Sequence, residues 1–196
     1  MKTKLAFATK LQYFAAALTL MTACPGNTIA QEAHSHTPTA QQQAGLDSAN
    51  ALVQAVRQST EQFKDVSAAI AAGYALQFGC VSGEDSGAMG LHYINADLVN
   101  SGVLDPARPQ IIIYEPTPDG GRRLIGADFL VIADTWNASH SAPPQMMGQA
   151  FHLFPSPNRF GLPTFYTLHV WAWKENPTGA FVNWHSNVSC RSYKDQ

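Results

Sequence analysis

The sequence predicts an α+β fold, with N-terminal helices packed on a mostly antiparallel sheet and one disulfide. Three observations support this prediction. Two helical patterns come first along the chain, strand patterns follow one another without intervening helices, and a turn rich in proline and glycine joins two of those strands as a hairpin.

The helices are predicted from their capping residues and their apolar spacing. Asp47 can cap a first helix that runs through Val56. Ser59 or Thr60 can cap a second helix, which Gly73 would end. Both helices then precede every strand of the predicted sheet.

The strands are predicted from runs of β-branched and aromatic residues bounded by turn signals. The main strands are Met89–Ile94, Gln110–Glu115, Arg123–Ala133 and Phe165–Lys174, after a shorter extended segment from Leu76 to Cys80. Residues 117–121 (TPDGG) form the hairpin turn. The proline-rich segment 142–163 is long for a loop, and such segments are often functional.

The N-terminus has the pattern of a secretory signal. Lys2, Lys4 and Lys10 precede a short apolar run over residues 11–23, and residues 28–30 offer small side chains for cleavage. A lipoprotein signal ending before Cys24 is the less favoured alternative. We therefore predict a signal peptide over residues 1–30, a disordered leader over 31–45 and a single α+β domain over 46–196, in a periplasmic or secreted protein.

Composition excludes several classes of function. Without residues 1–30 the chain keeps 9 of its 12 basic residues against 14 acidic ones, a net charge of −5. No basic stripe remains, so a nucleic-acid partner is not expected. No second apolar run approaches the roughly 20 residues that a membrane span requires. A small-molecule ligand or substrate stays open, and so does the oligomeric state.

Two cysteines remain after the signal, Cys80 and Cys190. In an oxidising compartment such a pair predicts a structural disulfide. The alternative is two buried free thiols.

Each main strand carries one imidazole or carboxylate on a face that is otherwise small or apolar. These side chains are His92, Glu115, Asp128 and His169. Side chains alternate across a strand, so the four groups converge if those faces coincide. Two imidazoles with one or two carboxylates suit a divalent transition metal (zinc, copper, iron or manganese). No short ligand motif such as HExxH is present, so only tertiary structure could assemble the site.

A ligand cavity beside this group would be lined by Tyr93, Trp171, Trp173 and His152. Trp171 and Trp173 would share the face of His169 if the last strand continues to Lys174. The adjacent pair Met146 and Met147, with His152, would favour copper, although paired methionines more often fill irregular cores.

Other functions remain open from the sequence. The chain could be a metal-dependent enzyme or a non-catalytic binding module whose aromatic sheet face holds a ligand. It could also be an envelope protein without a small-molecule site. An ion pair with Arg122 or Arg123 would account for Glu115 or for Asp128 without a metal-binding or catalytic role.

Five segments and the last cysteine resemble a group of uncharacterised exported bacterial proteins. They are Gly87–Asn95, Ile113–Pro116, Ile125–Phe129, Gly148–Phe151, Leu168–Pro177 and Cys190. The resemblance covers about residues 60–190 and implies export and one domain. It implies no activity. In that group a glutamate stands at the position of Asp128, which implies an acid there.

Overall fold

The computed structural model describes residues 37–194, and within them the predicted α+β fold with one disulfide is confirmed. The helices are α1 (Ala40–Thr60), a 3-10 helix (Glu61–Lys64), α2 (Val66–Ala71), α3 (Ala96–Ser101) and α4 (Ala133–Asn137). The strands are β1 (Ala75–Ser82), β2 (Ala88–Ile94), β3 (Ile111–Pro116), β4 (Arg122–Ile132), β5 (Gln145–Met146), β6 (Gln149–Ala150), β7 (His152–Phe154) and β8 (Phe165–Val170).

Six strands form one antiparallel sheet in the order β1-β2-β3-β4-β8-β7, and β5 and β6 form a separate pair. The four predicted main strands are β2, β3, β4 and β8, and the shorter predicted segment lies within β1. The short strands β5, β6 and β7 lie in the proline-rich segment, for which a loop was predicted.

The first helix begins earlier than the sequence predicted. The side chain of Thr39 accepts a hydrogen bond from the backbone of Gln42, and the side chain of Gln42 accepts one from the backbone of Thr39. This capping box starts the helix at Ala40 instead of Asp47. Residues 40–45 are therefore helical, which corrects that part of the predicted disordered leader.

The second helical region is split in two. Thr60 does not cap it, because its hydroxyl donates back to the carbonyl of Val56 within α1 (2.6 Å). Asp65 caps α2 instead, accepting a hydrogen bond from the backbone of Ser67 (2.9 Å). The 3-10 helix connects α1 and α2.

One face of the sheet packs against these helices. Leu52 and Val56 of α1 lie in one apolar cluster with Phe129, Leu168 and Val170 of β4 and β8. A second cluster, under the 3-10 helix and α2, contains Phe63, Ala69, Tyr74, Leu91, Tyr93, Ile112 and Tyr114. The helices thus cover one face and leave the other for different elements.

The opposite face is covered by the proline-rich segment and the C-terminal tail. Phe154, Phe160 and Leu162 come from the segment, and Val188 comes from the tail. They pack over Ile111, Ile113, Ile125, Leu130, Phe165 and Trp171. This is the face that carries the candidate site.

The C-terminal tail is held against the start of the sheet. Ala88 and His185 exchange two backbone hydrogen bonds of 3.2 Å. Gly87 lies so close that a Cβ there would be 2.2 Å from the carbonyl oxygen of His185, so glycine is needed for this approach. The predicted disulfide is confirmed, since Cys80 of β1 is bonded to Cys190 of the tail.

Among residues 37–194, no helix is long and apolar enough to cross a membrane. The predicted signal peptide, its cleavage region and the leader residues 31–36 lie outside the described part of the chain.

Candidate metal centre

Three of the four predicted ligands meet on the sheet face that the proline-rich segment covers. Asp128 of β4 is directly opposite His169 of β8 in the strand register, and His92 reaches them from β2. All three side chains are buried. One potential ligand atom from each lies within 4.8 Å of the other two, and the two imidazole centroids are 5.7 Å apart. The described structure thus has a His/Asp/His group that could hold a metal ion.

The backbone orients His92. Its Nδ1 is 3.2 Å from the carbonyl oxygen of Gly90, which can only accept a hydrogen bond. Nδ1 must therefore carry the proton, and Nε2 keeps the lone pair that a metal needs. Gly90 has φ +91°, and a Cβ there would be 2.6 Å from the carbonyl oxygen of Tyr114. Glycine is thus required at the position that orients this imidazole.

The carboxylate of Asp128 is oriented by Thr167. The Thr167 hydroxyl donates to Oδ1 of Asp128 at 2.5 Å. This contact leaves Oδ2 for another partner, and Oδ2 is 3.7 Å from Nδ1 of His169. Hydroxyl partners of this kind commonly fix the carboxylate ligands of metal sites.

His169 has unused binding capacity. Both of its ring nitrogens are buried, and neither has a described partner in good hydrogen-bond geometry. The side chain of Asn183, whose Oδ1 is also buried and unpaired, lies close enough to act on the pKa of His169 in the raising direction. Buried polar atoms nearly always have a partner, so two such nitrogens on one imidazole call for an explanation. A ligand at this point would provide one.

Burial sets the protonation of the group. It lowers the pKa of His92 to about 4 and that of His169 to about 3. It raises the pKa of Asp128 to about 6, against the hydrogen bond from Thr167. At neutral pH the group therefore has two neutral imidazoles and a carboxylate. Within residues 37–194, no lysine or arginine pairs with Asp128. A divalent cation would compensate this buried negative charge.

The spacing suits a small ion after modest closure. Metal–nitrogen distances of about 2.0–2.1 Å place two ligands of one ion at most about 4.2 Å apart. The observed limit of 4.8 Å then requires shifts of a few tenths of an ångström. A cavity of about 30 Å³ lies over the group, which is room for an ion and about one water molecule.

The cavity walls are mostly aromatic and aliphatic. Four phenylalanines contribute, Phe78, Phe154, Phe160 and Phe165, of which the last two lie 6.3 Å apart between centroids. Met89, Ile94, Ile111, Leu130 and Leu162 complete the apolar wall, and Thr167 lies beside the ligands. Such walls exclude water from the group and strengthen electrostatic interactions there.

Glu115, the fourth predicted ligand, lies elsewhere. It forms ion pairs with Arg123 and with Lys174, the latter at 2.8 Å. Burial acts to raise its pKa, but these hydrogen bonds hold it below the ordinary value. Glu115 lies two residues beyond Ile113 along β3, and an extra residue in β4, Ile125, brings Arg123 opposite it. The ion pair that the sequence left open as an alternative therefore accounts for Glu115.

None of the four residues predicted to line the cavity does so. Tyr93 lies on the helix-covered face, against Tyr114. Trp171 contacts His169 from the side, with centroids 5.7 Å apart, and donates to the carbonyl of Val182. Its indole lies outside the cavity wall.

Trp173 lies away from the group, whereas His152 lies opposite Thr167 in the strand register, where it is close enough to add to burial in lowering the pKa of His169. Strand β8 ends at Val170 instead of Lys174, so the alternation stops and Trp173 turns to the helices, donating to Thr60 (2.9 Å). His152 is exposed on the edge strand β7. Met146 is in the helix-side core and Met147 is exposed in the turn between β5 and β6, so neither lies at the group.

Sequence reasoning missed Thr167 and the phenylalanines. Thr167 precedes His169 by two residues in a buried strand, so a shared face was a usable signal. Phe154 and Phe160 come from the proline-rich segment, whose path no local pattern predicts.

Comparison with known proteins assigns neither a family nor a function to this chain. No family model, curated protein or solved structure matches this chain. The site is therefore interpreted from its own chemistry.

Proposed function

We propose that this is an exported protein that binds one divalent transition metal ion through His92, Asp128 and His169. The observation that carries the proposal is the burial of these three side chains together, with neither nitrogen of His169 in a well-formed hydrogen bond although a carboxylate lies beside it. A purely structural cluster would be expected to satisfy these atoms internally.

The ligand set favours an ion with open coordination positions. Structural zinc sites usually have four protein ligands, whereas catalytic sites have three and leave a position for water or substrate. Two imidazoles and one carboxylate are also the ligands of many iron(II) sites with open positions. Zinc, iron, manganese and copper are therefore the ions to test, and a bound ion would supply Lewis acidity or an activated water.

The chain's own residues prepare the site. The Gly90 carbonyl fixes the tautomer of His92, and the Thr167 hydroxyl fixes the orientation of Asp128. The low pKa of each imidazole keeps both neutral at physiological pH, so protons compete weakly with a metal for their lone pairs.

The small cavity does not favour the alternative of a binding module that holds a whole sugar-sized ligand. The cavity volume of about 30 Å³ is enough for one ion and about one water molecule, and it is far below the roughly 300–1,000 Å³ of ordinary ligand pockets.

The compartment remains part of the proposal. The disulfide and the predicted signal sequence both support export.

Metal analysis tests the proposal directly. Protein without a His tag is stripped with a chelator, equilibrated with each of the four ions in turn and dialysed. We expect about one equivalent in the wild type and less than about a tenth in His169→Ala and Asp128→Asn, because each loses one of three ligands. His140→Ala is the matched control, since His140 is exposed and stacked on Trp136. Equal metal content in all four proteins would reject the proposal.

A further inference from the structure

An apolar groove lies beside the candidate centre. Its volume is about 180 Å³, and its apolar walls include Phe78, Ile94, Val99, Leu130, Ile132 and Leu162. The polar side chains in its walls are those of Gln77 and Asn100, and no wall residue is charged. The apolar groove is therefore suited to an uncharged occupant, because a buried charge would find no partner there.

The groove adjoins the cavity over the metal ligands. Phe78, Ile94, Leu130 and Leu162 belong to the walls of both. A molecule in the groove is thus separated from His92, Asp128 and His169 only by these shared side chains. The groove approaches the centre from the side of β1 and α3.

Phe78 occupies an unusual position in this shared wall. It has φ +64°, in the left-handed region that bulky residues rarely adopt, next to Gly79 at φ +63° in a bulge of the edge strand β1. Its ring is partly exposed and packs against Phe160 with centroids 5.3 Å apart. Backbone positions with strain of this kind often occur at ligand clamps. The ring can move without breaking a core contact on the helix side.

We infer that the groove admits a small uncharged apolar molecule, an aromatic ring or short alkyl chain, to the metal centre, and that Phe78 gates its entry. The inference rests on the proposed metal site. An apolar cavity of about 150 Å³ accommodates benzene, so the groove has the size for one ring. The small cavity beyond it leaves space at the centre for one reactive atom or a polar end group.

Fluorine NMR with fluorobenzene tests the inference, with 4-fluorobenzoate as the charged counterpart. We expect fluorobenzene to bind the wild type with and without metal, and to bind the metal-free protein at least about tenfold more tightly than 4-fluorobenzoate. In manganese-loaded protein its fluorine signal should relax faster than in zinc-loaded protein, because the paramagnetic ion is close. Equal fluorine relaxation rates in the zinc-loaded protein and in a protein shown to contain manganese would overturn the inference.

Two blocking variants and one matched control locate the binding. Val99→Trp fills the groove and should weaken fluorobenzene binding at least about tenfold. Val103→Trp is the same substitution at an exposed position by a separate depression, and should leave binding unchanged. Ala96→Phe blocks the same groove from an exposed helix position, so the test stays decisive if Val99→Trp does not fold. Unchanged binding in the folded blocking variants would contradict the groove.

Phe78→Ala tests the gate. Removal of the ring should accelerate fluorobenzene exchange about tenfold, because the fraction of open protein rises. An unchanged exchange rate would refute the gating role.

Metal content is measured in the same samples. Normal metal content without fluorobenzene binding would reject only this inference, whereas fluorobenzene binding in a wild type that takes up no metal would reject the proposed function.

Discussion

Replacement of Asp128 by asparagine should stabilise the metal-free protein while removing its metal affinity. The two side chains have the same shape, so packing is preserved. In the native protein burial raises the pKa of Asp128 from 3.8 to about 6. At neutral pH this difference corresponds to an unfavourable free energy on the order of 3 kcal/mol for the ionised carboxyl in the folded state.

Asparagine removes this unfavourable free energy and keeps an oxygen that accepts the hydrogen bond from the Thr167 hydroxyl. The hydrogen bond to an uncharged acceptor is weaker, and this costs the folded protein about 1 kcal/mol. The amide nitrogen would take the place of Oδ2, which is 3.7 Å from Nδ1 of His169, and could donate to that unpaired nitrogen. We expect a net gain of about 2 kcal/mol in the free energy of unfolding at pH 7.

Urea denaturation of the chelator-treated proteins at pH 7 and pH 5 measures this gain. The gain should shrink at pH 5, because Asp128 is then largely protonated in the folded protein. Asp85→Asn, at an exposed position, controls for the substitution itself. If Asp128→Asn lowers the stability of the metal-free protein at both pH values, the carboxylate is a structural element of the core and the argument from its unpaired charge is wrong.

Three further predictions concern the metal ligand support, the disulfide and pH. Thr167→Val should weaken metal binding about 10–100-fold while the protein stays folded, because the carboxylate of Asp128 loses its orienting partner; competition with a chromogenic chelator measures this. Replacement of both Cys80 and Cys190 by serine should lower the free energy of unfolding by about 4–5 kcal/mol in urea, since the bond spans 110 residues of sequence. The metal-free protein should lose on the order of 1 kcal/mol of stability per pH unit from about pH 6 to about pH 4.

The sign of the pH effect follows from the proton count. The unfolded chain binds two protons at the imidazoles below their ordinary pKa of 6.5, whereas the folded protein leaves both neutral down to about pH 4. The carboxyl of Asp128 acts in the opposite direction, binding one proton in the folded protein from about pH 6 down to 3.8. The unfolded state thus binds about one proton more, so stability decreases as the pH is lowered from about 6 to about 4. Urea midpoints across this range test the prediction.

Each of these predictions has a contradicting result. Unchanged metal affinity in Thr167→Val would show that the hydroxyl does not support a ligand. Equal stability with and without the disulfide would remove its structural role. Urea midpoints that are constant or rise as the pH falls from 6 to 4 would show that the imidazoles are not buried in the neutral form.

The sequence predicted the three metal-binding candidates because strand alternation is a local property. His92, Asp128 and His169 each follow from a period of two on a strand whose pattern is clear. Antiparallel neighbours then place Asp128 opposite His169. The disulfide followed from the two cysteines that remain after the predicted signal, together with the oxidising compartment that the signal implies.

What the sequence did not predict depends on the ends and irregularities of strands. An extra residue in β4, Ile125, shifts the register against the last residues of β3, and this places Arg123 opposite Glu115. Strand β8 ends early, which turns Trp173 to the helices. A one-residue irregularity changes the face of every later side chain, and apolar patterns alone do not locate it.

The cavity walls were beyond sequence reasoning for another reason. Phe78 enters the wall through a bulge, and Phe160 enters through a long loop whose path depends on tertiary contacts. Their apolar character was evident, but the surface they would cover was not.

Anomalous diffraction from crystals grown with the preferred ion tests the central claim most directly. We predict a single strong peak at the absorption edge of that ion, about 2.0–2.2 Å from Nε2 of His92, from Oδ2 of Asp128 and from a ring nitrogen of His169. Anomalous density only elsewhere, with the two imidazoles hydrogen-bonded to water, would contradict it.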